Sequence, residues 1–200
     1  MSVTTMIIAQ DGIVAAADSR LTKLKDNSLI SDQINKLFLI HQNRYAICSI
    51  GTYALNKKNI PDFIYYFDHS VLEETDDLKT TAKKLLAEMK KDKTASPPMF
   101  YLAGYEADQP YMYEIIRDKG ATRQNFSMIW GGNHEYIDKL MNNHSIDFGL
   151  LYMHDAIELA ELVINAEIKM EYLSNKTATC GGPIDILTIT KESGQWYRHK

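Results

Sequence analysis

The chain has 200 residues, 45% of them apolar, enough for one domain with a sizeable core. Its 22 Lys and Arg against 26 Asp and Glu give a net charge of -4, and no basic excess points to nucleic acid. No run approaches the roughly 20 apolar residues of a membrane helix, and the N-terminus lacks the basic-then-apolar layout of a secretory signal. Two cysteines, Cys48 and Cys180, give neither a disulfide framework nor metal-ligand spacing. Both sit in apolar, strand-like stretches where reduced buried thiols are expected, which implies a cytoplasmic home.

Residues 4–9 and 13–17 are short apolar or β-branched runs separated by Gln10-Asp11-Gly12, a hairpin signal. Residues 21–32 are polar and predict a connecting loop with one short strand. Runs 36–40 and 45–50 flank the polar turn His41-Gln42-Asn43-Arg44 and predict a second hairpin. After Gly51 the spacing becomes helical. Pro61 fits a first turn, where no needed donor is lost, and Phe63, Ile64 and Phe67 follow on one face. Asp77 reads as the N-cap of a helix over 78–91, with Leu78, Ala82, Leu85, Leu86 and Met89 on its apolar face. Lys79, Lys83, Lys84, Glu88 and Lys90 make the other face, expected to be solvated.

Pro97-Pro98 closes the helical region, and 99–105 and 111–116 predict a strand pair around a turn over 104–110. Its many tyrosines are ordinary sheet residues, and without a basic groove they make no stacking platform for nucleic acid. A strand over 126–130 leads to Gly131-Gly132-Asn133. His134-Glu135 begins like a metalloprotease motif, but Asp138 stands where its second His is required, so the pair predicts only a helix start, running to 141. The clearest helix spans 147–173, with Leu150, Met153, Ile157, Ala160, Ile164 and Ile168 on one face and Asp155, Glu158, Glu161 and Lys169 opposite. His154 is expected at the surface or in a ring contact. A final strand covers 186–190, followed by a turn to Gly194. Strands following strands, and helices following helices, argue against a parallel α/β sheet.

Four positions in the first fifty-one residues stand in a telling order. Ser2 precedes the first strand, Asp18-Ser19-Arg20 ends the second, Lys36 stands before Leu37-Phe38, and Gly51 closes the strand Tyr45–Ile50. This order resembles the N-terminal-nucleophile (Ntn) hydrolases of the proteasome β-subunit and HslV type. So do Gly104-Tyr105-Glu106 before an aromatic strand, and the closing Gly181-Gly182-Pro183-Ile184-Asp185, where Cys180 replaces the family's serine. The resemblance runs from Ser2 to about Gly194. It implies a single domain over 1–200 with an α+β fold, a four-layer αββα sandwich of two antiparallel sheets between helix layers.

In that family a Thr freed at the mature N-terminus attacks a peptide carbonyl, and its Asp stands sixteen residues later. Counting back from Asp18 gives Ser2, not Thr4 or Thr5. A Ser hydroxyl needs a base within hydrogen-bond reach, and the α-amino group of the same residue, with an ordinary pKa near 8, can serve once Met1 is removed. By the resemblance, Lys36 disfavours the protonated amine by like-charge repulsion, Asp18 holds Lys36, and the Gly51 N–H receives the oxyanion. It further implies a substrate pocket lined by Leu21, Ile34, Ser49 and Tyr53 for an apolar or small side chain. The implied partners are a polypeptide substrate, other copies in a homo-oligomeric ring and an ATP-dependent unfoldase, with no cofactor and no metal. Two positions depart from the pattern: Gly132 stands where the family carries a serine, and Thr177 where many members carry a supporting Asp. Those departures favour an alternative, a catalytically silent subunit with a structural role in a ring.

Overall fold

Several of the sequence's strands are apolar on both faces, so both faces must be covered, and the computed structural model covers them with the opposite sheet on one side and helices on the other. It describes residues 2–23, 25–142, 144–174 and 177–200. In chain order the strands before the first helix are β1 (Val3–Ile8), β2 (Ile13–Ala17), β3 (Leu21–Thr22), β4 (Leu29–Ser31), β5 (Leu37–Ile40), β6 (Tyr45–Ile50), β7 (Ala54–Leu55) and β8 (Lys58–Asn59). Helices α1 (Ile60–Ser70) and α2 (Leu78–Lys91) follow, then β9 (Met99–Glu106), β10 (Gln109–Ile116), β11 (Gly120–Gln124) and β12 (Met128–Gly132). The chain ends with α3 (Glu135–Met141), α4 (Met153–Leu173), β13 (Asp185–Ile189) and β14 (Gly194–Arg198).

Two five-stranded antiparallel sheets carry the molecule, in the orders β12-β1-β2-β13-β14 and β11-β10-β9-β6-β5. Alternation along β2 shows how they stack. Ile13, Ala15 and Ala17 join the apolar layer between the sheets, with Met6, Leu37, Cys48 and Leu187, while Val14 and Ala16 face Ala160, Val163 and Ile164 of α4. The second sheet packs its other face on α1 and α2 through Phe63, Phe67, Leu85, Met89, Phe100 and Leu102. The result is the expected αββα sandwich of two antiparallel sheets between helix layers. No helix among the described residues is long and apolar enough to cross a membrane.

Several boundaries differ from the sequence reading, each for a local reason. The segment over 21–32 holds two short strands, paired as Leu21 with Ser31 and Thr22 with Leu29. The strand before Ile40 begins at Leu37, one residue later than expected, and Lys36 just ahead of it sends its side chain into an ion pair. The turn expected over 104–110 shrinks to Ala107 and Asp108, both at left-handed φ (44° and 64°), as a two-residue hairpin matching the strand twist requires. β11 was not foreseen, because Ala121-Thr122-Arg123-Gln124 lies at a solvated sheet edge and carries no apolar alternation. The last long helix starts at Met153 rather than 147. The preceding residues form a 3-10 turn, and the Leu151 carbonyl accepts the Gln10 N–H at 2.9 Å, outside the helical ladder. Glu88, assigned to the solvated face of α2, is buried, and its backbone carbonyl accepts the Asn56 side chain at 2.9 Å beneath the β7–β8 hairpin. Asp77 does cap α2, accepting the Thr80 N–H at 2.7 Å.

Candidate active site

The β1–β2 hairpin pairs Thr4 with Ala17, which brings residue 18 opposite residue 3. Asp18 donates its N–H to the Val3 carbonyl at 3.1 Å, and Val3 returns its own N–H to Asp18 Oδ1 at 2.9 Å. The same Oδ1 accepts Lys36 Nζ at 2.7 Å. On the other oxygen, Oδ2 accepts the Gly181 N–H at 3.0 Å and the Arg20 N–H at 3.2 Å. Asp18 is 0% exposed and Lys36 is 2% exposed, so this is a buried ion pair rather than a surface one. Burying charge is costly unless the remaining lone pairs are filled, and here three backbone donors fill them.

Ser2 is buried at the junction of β1 and β12, and its carbonyl accepts the Asn133 N–H at 2.7 Å. Met1, whose removal would free the Ser2 amine, lies outside the described residues. Gly132 explains its own identity. It has φ +92°, and a Cβ there would stand 1.8 Å from the Ser2 carbonyl oxygen, so the close approach of the two chains leaves no room for the serine of the resembled family. Gly51 also has a left-handed φ, +96°, at the exposed end of β6, where a Cβ would meet nothing nearer than Pro98 Cα at 3.9 Å.

The residues expected to line a substrate pocket fall on two sides. Ile34 donates its N–H to the Ser19 carbonyl at 3.0 Å, and Leu21 lies just beyond Arg20 in β3. Ser49 donates its N–H to the Lys36 carbonyl at 2.8 Å. These three therefore belong to segments directly joined to the Asp18–Lys36 pair. Tyr53 instead packs against the apolar cluster beneath α1 and α2, and burial pushes its phenol up to about 12. Arg20 fastens the intervening turn with two bonds to Asp32, at 2.7 and 2.9 Å, a planar fork on a carboxylate.

Sequence reasoning missed Glu171. It sits in the last turn of α4, buried, on the face continued from Ile164 and Ile168, and an acid on that apolar stripe was the available signal. Its Oε2 accepts the N–H groups of Thr179 and Cys180 at 2.8 and 2.9 Å, and its Oε1 accepts Thr179 Oγ1 at 2.7 Å and Asn133 Nδ2. Thr177 is exposed, so the carboxylate that gathers this loop comes from the helix. A second buried acid, Glu167, binds the Tyr136 and Ile137 N–H groups at 2.8 and 3.1 Å through Oε2, and burial holds its carboxyl above the ordinary range.

Cys48 and Cys180 are free, and burial pushes both thiols up. His134 bonds Asp138 at 2.8 Å, His154 stacks on Tyr152, and among the described residues no three His, Cys, Asp or Glu are grouped to hold a metal. A cleft of about 660 Å³ runs beside β12, lined by Tyr101, Phe126, Trp130, Met141, Ile146 and Phe148, and does not include residue 2.

No family model matches the sequence, and no curated protein does. Among solved structures the chain is similar to the Anbu (Gly-1) mutant from Hyphomicrobium sp. strain MC1, with a TM-score of 0.78 and 17% identity over 100% of this chain and 86% of that one. At that identity the likeness is one of fold, and it agrees with the αββα sandwich of two antiparallel sheets.

Proposed function

We propose that this chain is a proteasome-like N-terminal-nucleophile hydrolase that cleaves peptide bonds, with Ser2 as nucleophile after removal of Met1. The freed α-amine takes the proton from Ser2 Oγ as the oxygen attacks the substrate carbonyl. The Gly51 N–H receives the oxyanion, the protonated amine passes its proton to the departing amine, and water then cleaves the Ser2 ester. Lys36 keeps the α-amine from holding its proton too tightly, and Asp18 keeps Lys36 in place. What carries this reading is that one oxygen, Asp18 Oδ1, binds both the Lys36 ammonium and the N–H of the residue that follows Ser2. The substrate is a polypeptide, with Leu21, Ile34 and Ser49, beside the Asp18–Lys36 pair, as the side-chain pocket. Copies assemble head to tail into a closed ring, to which an ATP-dependent unfoldase could deliver chains, in the cytoplasm.

The test joins intact mass with hydrolysis. The purified protein should lack the mass of Met1, and Ser2→Ala should abolish cleavage of peptide amides while leaving the fold intact. Hydrolysis that survives Ser2→Ala would exclude Ser2. A second reading, a silent structural subunit of the ring, draws support from Ser rather than Thr at position 2 and from the crowding at Gly132. It predicts a ring by native mass spectrometry, with Met1 retained and no hydrolysis.

A further inference from the structure

Every group bound to the Glu171 carboxylate is a donor, and the set reaches in two directions. Through Asn133, whose side chain binds Oε1, it touches the residue whose backbone N–H holds the Ser2 carbonyl at 2.7 Å. Through Thr179 and Cys180 it fixes the loop that turns, at the next residue, to give the Gly181 N–H to Asp18 Oδ2 at 3.0 Å. Glu171 is 3% exposed, so the carboxylate competes little with water for these bonds. The Gly181 peptide is held from its other side as well. Its carbonyl accepts the Ser19 N–H at 3.0 Å, and the Arg20 side chain lies so close that a Cβ on Gly181 would be 2.6 Å from the guanidinium carbon.

We infer that Glu171 is a positioning residue for the Ser2 centre: one carboxylate on α4 sets both the backbone that orients Ser2 and the loop donor that holds Asp18 against Lys36. This rests on the reading of Ser2 as nucleophile. Glu171 touches no reacting atom, and its effect passes through Asn133 on one side and Gly181 on the other. A carboxylate that only stabilised the fold would change how many molecules are native. One that positions the centre changes how fast each native molecule reacts, because a small displacement of a nucleophile or its supports is costly to the rate.

The experiment measures inactivation of the Met1-free protein by a peptide vinyl sulfone, which adds its alkene to the attacking hydroxyl and takes that hydroxyl's proton at the carbon beside the sulfone. Glu171→Gln keeps the shape and one acceptor oxygen, and Glu171→Ala removes both. In Glu171→Gln the maximal inactivation rate should fall by about 10-fold to 100-fold. The concentration for half-maximal rate should stay within about 2-fold and the fraction of sites finally modified should be unchanged. Glu171→Ala should be slower still. Wild-type rates in both variants would overturn the inference, as would a smaller reactive fraction with an unchanged rate. Absence of modification at Ser2 in the wild-type protein would instead overturn the peptidase reading on which it rests.

Discussion

Replacing Lys36 by Met removes the ammonium and keeps the aliphatic stem, so it isolates what the charge does for Asp18. Asp18 and Lys36 are 0% and 2% exposed, and breaking a pair buried this deeply costs about 3–5 kcal/mol because the surviving charge is left uncompensated. Three backbone N–H groups, from Val3, Arg20 and Gly181, would still face the carboxylate, which places Lys36→Met near the lower end, at about 3 kcal/mol. In a protein of this size that is a fall in Tm of roughly 6–12 °C. Asp18→Ala should cost more, because the buried donors of Val3 and Gly181 lose their acceptor at about 1–3 kcal/mol each while the Lys36 ammonium also loses its bond to Asp18. The double variant should then be less damaged than the two losses added together, with a coupling of about 2 kcal/mol. Urea unfolding of the four proteins, with comparable m-values, measures all of this. A Lys36→Met loss under about 1 kcal/mol, or strict additivity in the double variant, would refute the description of a buried, mutually dependent pair.

Gly132→Ser should cost about 3 kcal/mol or more, since both the left-handed φ and the Ser2 carbonyl oppose a Cβ; a variant as stable as wild type in thermal unfolding would contradict the packing of β1 on β12. Gly51→Ala makes only an ordinary contact, with Pro98 Cα at 3.9 Å, so only backbone strain of about 1–2 kcal/mol is expected, and a larger loss in the same assay would mean the strand end is more crowded than its geometry indicates. Glu167 has its folded-state carboxyl pushed up by burial, so the folded state binds the proton more tightly than the unfolded one. Its contribution is therefore fully present below the ordinary value of 4.5 and is lost as pH rises above it, so Glu167→Gln should flatten that decline in urea unfolding measured across pH 4–8, and identical pH slopes would contradict it. Cys48 and Cys180 should resist a thiol reagent at pH 8 in the native protein and react together in denaturant, and fast labelling of either in the folded state would contradict their burial.

The helices and paired strands were legible where side chains repeat with a period. The face of α2 from Leu78 to Met89, the Asp77 cap and the apolar runs of β1 and β2 each announce an element without help from the rest of the chain. β11 was not legible because an exposed edge strand needs no apolar alternation, and the start of α4 was not because a contact with Gln10, far away in sequence, takes the Leu151 carbonyl. At the candidate site, the order of Ser2, Asp18, Lys36 and Gly51 could be read from the chain. That a single Asp18 oxygen binds both Lys36 and Val3 could not, since it depends on three segments meeting in space. Glu171 is not legible as a site residue, because most charges of its helix, such as Glu158 and Glu161, lie on the polar face. Its place on the stripe of Ile164 and Ile168 was the clue, but what it binds lies across the molecule in the Thr179 loop and at Asn133.

Peptide mapping after reaction with a hydroxyl-directed peptide electrophile goes straight to the chemistry proposed for residue 2. The account predicts a chain that begins at Ser2, carries one adduct on that residue, and gives none when position 2 is Ala. A chain that retains Met1 and stays unmodified, or an adduct that persists in Ser2→Ala, would contradict it.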